Sequence, residues 1–339
     1  MSLDGVPVVD LAGDRATAVS TLDAALRRYG FFYVSNHGIT NDLSAQQFQC
    51  AADTFALPLA DKLAMPFDGK RDIGYVGSGV QTLDPDGSTQ VTADTKEQIM
   101  FTNNKLMTTT TAAADESNAN ATATTIDPSD PFAGSVNYSP PGVPNHGAVI
   151  REYAAASYAL NLALNALMFD ALDVPAAART TLGTDPFMVL KQMRYAGELS
   201  DPSKGKFGAG AHADWGSFTI LATDKTPGLQ IQMGDEWLAV PPREGCLIIN
   251  SGDQIAQLTN DVYRSAVHRV VTTSTTPRFS TAIFTYFSLH AEVAPLPQFV
   301  SDATPALYPY GRTTDEYFHF KLGESFAKGA ETGVVVQSY

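Results

Sequence analysis

His212 and Asp214 stand two residues apart in Ala-His-Ala-Asp-Trp-Gly, and His268 follows in Ser-Ala-Val-His-Arg-Val. Residues i and i+2 of a strand point to one face. His212 and Asp214 can therefore aim at one point, and a third donor from a later strand would complete a facial triad. Two imidazoles and one carboxylate on one face of an octahedron suit non-heme Fe(II), because three positions stay open for substrates and oxygen. Ten residues after His268 comes Arg278-Phe279-Ser280, again an i, i+2 pair. A planar guanidinium donates two parallel hydrogen bonds to a carboxylate, and a serine hydroxyl adds a third donor. A His-x-Asp pair alone is a weak signal in a chain with six His, but a metal triad followed by a carboxylate clamp is a specific one.

The elements that must carry these groups are short and β-rich. Runs at 187–195, 217–222, 229–233, 237–240, 246–250, 263–271 and 280–288 are apolar or alternating, and turn signals such as Pro227-Gly228 and Pro241-Pro242 separate them. Many short strands at this spacing indicate a sandwich or jelly roll. Before them, Val149, Tyr153, Ala156, Leu160, Leu164 and Leu167 form a stripe that predicts a long amphipathic helix over 145–172. The first 35 residues read as strand, helix, strand, with Asp14 as N-cap, and a second helix starts near Thr40 or Asn41. Residues 103–135 include a small, polar Thr/Ala/Asn-rich run without apolar period, read as a mobile insertion. The expected division is 1–145, an N-terminal region with that insertion, and 146–339, the long helix, the jelly-roll core and a C-terminal tail, in one compact unit.

At 339 residues with 44% hydrophobic content, the chain is long enough for a large core. Its net charge of −14 argues against nucleic acid or an anionic membrane surface as partner. No run of eighteen apolar residues and no export signal stands in the sequence, so a cytoplasmic protein is expected, with Cys50 and Cys246 as buried free thiols. The oligomeric state is not legible.

Beyond the triad and clamp, the chain resembles the isopenicillin-N-synthase-like family of Fe(II)/2-oxoglutarate-dependent oxygenases. The likeness rests on Val-Pro-Val-Val-Asp-Leu, Tyr-Gly-Phe-Phe-Tyr-Val-Ser-Asn-His-Gly-Ile, Arg71-Asp-Ile-Gly-Tyr75, Lys96-Glu97, Ala-His-Ala-Asp, Pro-Gly-Leu-Gln, Asn250-Ser-Gly-Asp253, Val-His-Arg-Val and Arg278-Phe-Ser280, in that order. It departs from many plant members at Met193-Arg194, where those carry Asn-Tyr. The resemblance implies a double-stranded β-helix core (a distorted jelly roll) flanked by helices, a mainly β, α+β fold. It implies that His212, Asp214 and His268 bind iron, that Arg278 and Ser280 hold the distal carboxylate of 2-oxoglutarate, and that Tyr195 assists. The implied reaction is oxidation of a small organic molecule by O₂, through hydroxylation, desaturation or ring closure, with release of succinate and CO₂. The alternatives are an Fe(II) oxidase of the same fold that needs no 2-oxoglutarate, and a non-catalytic small-molecule binder. Tyr75, Trp215, Tyr286 and Phe287 lie beside the core motifs and are candidate substrate contacts, although aromatic residues fill cores equally well. His37 reads as structural, and Asp253 as a turn residue.

Overall fold

A computed structural model describes residues 5–68, 72–83, 90–102, 138–308 and 311–327. The 103–135 insertion falls outside the described residues. Fourteen strands and seven α-helices are found among the described residues. The strands are β1 (Val8–Asp10), β2 (Phe31–Ser35), β3 (Gly74–Val76), β4 (Lys96–Thr102), β5 (Pro186–Tyr195), β6 (Ala209–His212), β7 (Phe218–Thr223), β8 (Leu229–Met233), β9 (Glu236–Ala239), β10 (Cys246–Ser251), β11 (His268–Val270), β12 (Arg278–Ser288), β13 (Glu292–Val293) and β14 (Arg312–Thr313). The helices are α1 (Arg15–Arg28), α2 (Asn41–Ala56), α3 (Leu59–Leu63), α4 (His146–Ala171), α5 (Ala176–Gly183), α6 (Asp253–Leu258) and α7 (Thr314–Ala327).

Eight strands form one sheet in the order β1-β2-β10-β7-β12-β5-β4-β3, and four form a second in the order β6-β11-β8-β9. The two make a jelly roll, a double-stranded β-helix. Residues before and after 145 contribute to the same large sheet, because β4 pairs with β5 along its length. Strand alternation sorts the side chains of that sheet. One face of β5 and β12, with Leu190 and Ile283, packs on α2 and α4 in the main core. The other, with Met193, Tyr195 and Ala282, meets Leu229, Ile231 and Val270 of the small sheet in a second core. Sheets that pack face to face leave an apolar layer between them, and the site opens within this layer.

The helices begin where their sequence predicts. The Asp14 carboxylate accepts the N–H of Thr17, and Thr40 rather than Asn41 is the second cap, accepting from Leu43. The long helix runs 26 residues, His146 to Ala171, close to its predicted span. Three expectations fail in detail. Of 263–271 only His268–Val270 is strand, Asp253 opens a helix rather than sitting in a turn, and Cys246 is half-buried rather than buried. No helix among the described residues is long and apolar enough to cross a membrane.

Candidate active site

His212 closes β6 and His268 opens β11, and the two are direct cross-strand partners. Antiparallel pairing thus converts a long sequence separation into ring centroids 4.3 Å apart. Backbone carbonyls orient both rings: Nδ1 of His212 lies 2.8 Å from Gly210 O, and Nδ1 of His268 lies 3.0 Å from Ala266 O. A carbonyl only accepts, so each Nδ1 carries the proton and each Nε2 presents its lone pair. Both Nε2 atoms sit 3.7 Å from Asp214 Oδ1. A metal with bonds of about 2.1 Å spans donors up to about 4.2 Å apart, so each His–Asp pair is within reach of one ion, and the three ligand atoms all lie within 4.8 Å of one another.

Asp214 does not continue the strand as i, i+2 phase alone suggests, because β6 ends at His212. Its position comes from the turn after β10. The Asp253 N–H donates to Asp214 O (2.8 Å), the Gln254 N–H to Gly216 O (3.0 Å) and the Gly252 N–H to Ser217 O (2.8 Å). Any Cβ at residue 252 would lie 2.5 Å from Gly216 O, so only glycine lets the two turns meet. The side chain is then fixed by two donors on its second oxygen, Thr219 Oγ1 at 2.5 Å and Asn250 Nδ2 at 2.7 Å. Oδ2 is thereby occupied, and Oδ1 is left facing the two Nε2 atoms, open to an ion. Burial pushes the Asp214 carboxyl up, but His268, His212 and the two hydrogen bonds outweigh it and hold it below the usual range. Burial, then the neighbouring His268, brings His212 down to about 4, so its ring is neutral at pH 7, the form that ligates metal.

The clamp lies on the facing sheet. Arg278, Tyr195 and Lys96 share one register row across β12, β5 and β4, and Ser280, Met193 and Gln98 share the next. The Arg278 guanidinium lies 4.9 Å from the Tyr195 ring centre, and it donates to Ser280 Oγ and Thr226 O at 3.3 Å each. Arg278 is 2% exposed, yet it meets no carboxylate among the described residues. A buried charge without a counter-ion is costly; an anionic ligand would supply one. His212, Asp214, His268, Arg278, Ser280 and Tyr195 all line one cavity of about 90 Å³.

Two sequence families match this chain. Residues 185–286 match the 2OG-Fe(II) oxygenase superfamily, and residues 6–122 match the family described as non-haem dioxygenase in morphine synthesis N-terminal. Flavanone 3-dioxygenase 2 of Oryza sativa subsp. japonica is 30% identical over 92% of this chain and 82% of its own. The chain belongs to the 2OG-Fe(II) oxygenase superfamily. Clavatol oxidase of Penicillium crustosum is 27% identical, covering 91% of this chain and 90% of its own. In fold, a solved 2OG-Fe(II) oxygenase family protein from Caulobacter crescentus, described as putative, matches with a TM-score of 0.76 over 94% of this chain and 99% of its own, at 24% identity. The protein is thus an oxidoreductase that uses Fe(II) and 2-oxoglutarate. Two imidazoles and one carboxylate that could hold a metal ion, and a buried guanidinium that meets no carboxylate among the described residues, line the same cavity.

Of the four aromatic candidates, the structure places Trp215 and Tyr286 on the cavity wall and the other two elsewhere. Phe287 is one residue out of phase with Tyr286, so it faces the main core and stacks on Phe169 at 6.3 Å. Tyr75 donates to Glu97 Oε2 at 2.6 Å, inside a network with Lys62 and Arg194 on the opposite face of β4. His37 Nδ1 accepts the Ile39 N–H, and the Asp253 carboxylate, at the start of α6, accepts the Tyr317 hydroxyl, so Asp253 meets the triad through its backbone N–H and not as a ligand. Sequence reasoning left Lys96, Lys191, Thr219 and Asn250 without roles at the site, though all line the cavity. Period-two alternation was the available signal: Lys191, Met193 and Tyr195 share a face, as do Lys96 and Gln98.

Proposed function

We propose that His212, Asp214 and His268 hold the Fe(II) of this oxygenase, and that Arg278 and Ser280, with Tyr195 beside them, bind the distal carboxylate of 2-oxoglutarate. The primary substrate is a small organic molecule flanked by Trp215 and Tyr286, and it leaves hydroxylated, desaturated or ring-closed. The observation that carries this reading is the buried, unpaired Arg278 in one cavity with three converging ligand atoms. The bound iron supplies the O₂-dependent oxidation that no side chain here can perform. The chain's own residues prepare for it. Gly210 O and Ala266 O aim the two imidazoles, while Thr219 and Asn250 hold Asp214 Oδ2, so that Asp214 would offer an ion a single oxygen and leave room for the co-substrate and O₂. Arg278 fixes the co-substrate at its far end through a charge-assisted pair. Leu221, Leu229, Val270 and Ala282 keep the space between dry.

The test is succinate formation. Protein reconstituted anaerobically with Fe(II) and 2-oxoglutarate, then exposed to air, is expected to release succinate slowly without added substrate. His268→Ala should abolish this while leaving the circular-dichroism spectrum intact. Normal succinate release from that variant would sink the assignment of the ligands.

A further inference from the structure

His212 stands at the end of β6, the outer strand of the small sheet. The ladder between β6 and β11 is irregular just before it. His268 faces His212 and Val270 faces Ala209, so β6 carries one residue more than its partner in between, a bulge at Gly210 and Ala211. Gly210 O, the group that aims the His212 ring, lies in that bulge. The chain leading into β4 covers the free edge of β6. The Val91 N–H donates to Gly205 O at 3.0 Å and the Thr95 N–H to Phe207 O at 3.2 Å. Beside them Asp94, fully buried, turns its carboxylate onto the strand. Its Oδ1 accepts the Gly210 N–H at 3.0 Å and Gln90 Nε2 at 2.7 Å, and its Oδ2 pairs with Lys96. Gly210 leaves the room for this: a Cβ there would lie 2.0 Å from Gln90 Oε1.

We propose that Asp94 is a positioning residue for His212: it holds the Gly210 N–H and so fixes the bulge whose carbonyl aims the imidazole. The proposal rests on the reading of His212 as an iron ligand and extends it to a carboxylate outside the triad. A buried ion pair is weak evidence for stability, because an apolar pair of the same volume often serves the fold as well. An apolar side chain cannot accept the Gly210 N–H, however, and the extra residue of a bulge has lost its regular ladder partner. Gly210 also lacks the side chain that would restrict its backbone. With the acceptor gone, the Gly210 peptide is free to turn and its carbonyl leaves the line to Nδ1. The ring then loses the orientation in which Nε2 faces Asp214. Binding the ion must restore that order, which weakens affinity, as loss of the outer partners of ligating groups does in general. His268 takes its direction from Ala266 O, just ahead of β11, so it should not respond.

Two neutral double variants of the full-length protein separate the acceptor from the ion pair. Asp94→Asn with Lys96→Gln keeps an oxygen for the Gly210 N–H; Asp94→Leu with Lys96→Met keeps the approximate volume and removes that oxygen. Both lack the charges, so a purely structural ion pair would make them equal. Anaerobic Mn(II) titration is expected to give a dissociation constant close to wild type for the first and about tenfold or more higher for the second. Co(II) supplies the second readout, because a paramagnetic ion shifts the exchangeable Nδ1–H proton resonances of ligating imidazoles. The His268 resonance is identified by cross-relaxation with the Phe31 ring, whose centre lies 5.6 Å from that of His268. In the protein with Asp94→Leu and Lys96→Met, the His212 resonance should shift and exchange faster while that of His268 stays. If the apolar pair does not fold, Asp94→Ser with Lys96→Gln carries the same expectation, its hydroxyl being too short to reach the Gly210 N–H. Equal metal affinity in the variants with and without the acceptor, or two His resonances that move together or not at all, would overturn the proposal. Wild-type protein that binds no Mn(II) would instead overturn the ligand assignment itself, and the proposal with it.

Discussion

Removing the donors that hold Asp214 should weaken metal binding without touching a ligand. Thr219 Oγ1 and Asn250 Nδ2 contact Oδ2 at 2.5 and 2.7 Å, and Asp214 is 4% exposed. Hydrogen bonds to a charged group contribute about 1.5–3 kcal/mol each, and every 1.4 kcal/mol is about tenfold in an equilibrium constant. Part of each contribution is recovered when Oδ2 turns to the ion as a second ligating atom. Thr219→Val keeps the branched shape preferred in β7 and deletes only the hydroxyl; Asn250→Leu keeps approximate volume in β10. Each is expected to raise the dissociation constant for Fe(II) or Mn(II) by about 10–100-fold, the range found when outer-shell partners of ligands are lost. The double variant should cost less than the product of the two, because both act on one oxygen. The assay is anaerobic metal titration followed by Mn(II) paramagnetic resonance, which reads binding directly and does not depend on turnover. In the same titration, 2-oxoglutarate affinity should fall in the variants, since a carboxylate that chelates through both oxygens closes one of the positions the co-substrate needs. Metal affinity within about twofold of wild type in both single variants, with the fold intact, would refute the view that these donors set the geometry of Asp214.

Arg278→Met should raise the 2-oxoglutarate concentration for half-saturation by about one to two orders of magnitude, the loss of a charge-assisted pair of about 1.5–3 kcal/mol. An unchanged requirement in steady-state kinetics would place the distal carboxylate elsewhere. His146 gives a pH prediction: burial against Phe101 lowers it to about 4, while the unfolded chain titrates near 6.5. Between these values the unfolded state binds the extra proton, so stability is complete above about 6.5 and falls as pH drops towards 4, by up to about 3 kcal/mol. Urea midpoints across pH 4–7 should show this slope, and His146→Leu should reduce it, the part that His212 contributes in the same range remaining.

The site was legible in the sequence wherever chemistry and strand phase coincide. Arg278 and Ser280 are i, i+2 on β12, and the structure keeps them on one face. His212 and His268 carried the right types, but their contact depends on antiparallel register between β6 and β11, which no spacing encodes. Asp214 reaches the two imidazoles by a route other than strand phase. A turn at Gly252 and hydrogen bonds from Asn250 and Thr219 do what strand alternation was expected to do. Phe287 and Tyr75 were misplaced for one reason: adjacency to a motif does not fix which sheet face a side chain takes, and one residue of phase sends it into the opposite core. Lys191 fell inside the expected 187–195 run, but a lone lysine in an apolar strand carries no role until its partner Asp72 is seen.

The charge layout of the cavity also makes metal and co-substrate depend on each other. Without the ion, the two poles are Arg278 at one end and the Asp214 carboxylate at the other, the His212 imidazole being neutral. A dianion entering that space gains the guanidinium and faces Asp214 as a like charge. With a divalent cation held at the triad, the same end changes from repulsive to attractive. 2-Oxoglutarate affinity is therefore expected to rise by about 5–150-fold on loading with Mn(II), a coupling of about 1–3 kcal/mol, and metal affinity must rise by the same factor when 2-oxoglutarate is present. Calorimetric titrations in both orders measure the two factors independently. Asp214→Asn removes the like charge, so it should bind 2-oxoglutarate better than wild type in the absence of metal, although the metal itself is then held poorly. Equal affinity for 2-oxoglutarate with and without Mn(II), or an Asp214→Asn variant no better than wild type without metal, would show that Arg278 acts alone and that the opposing carboxylate exerts no influence across the cavity.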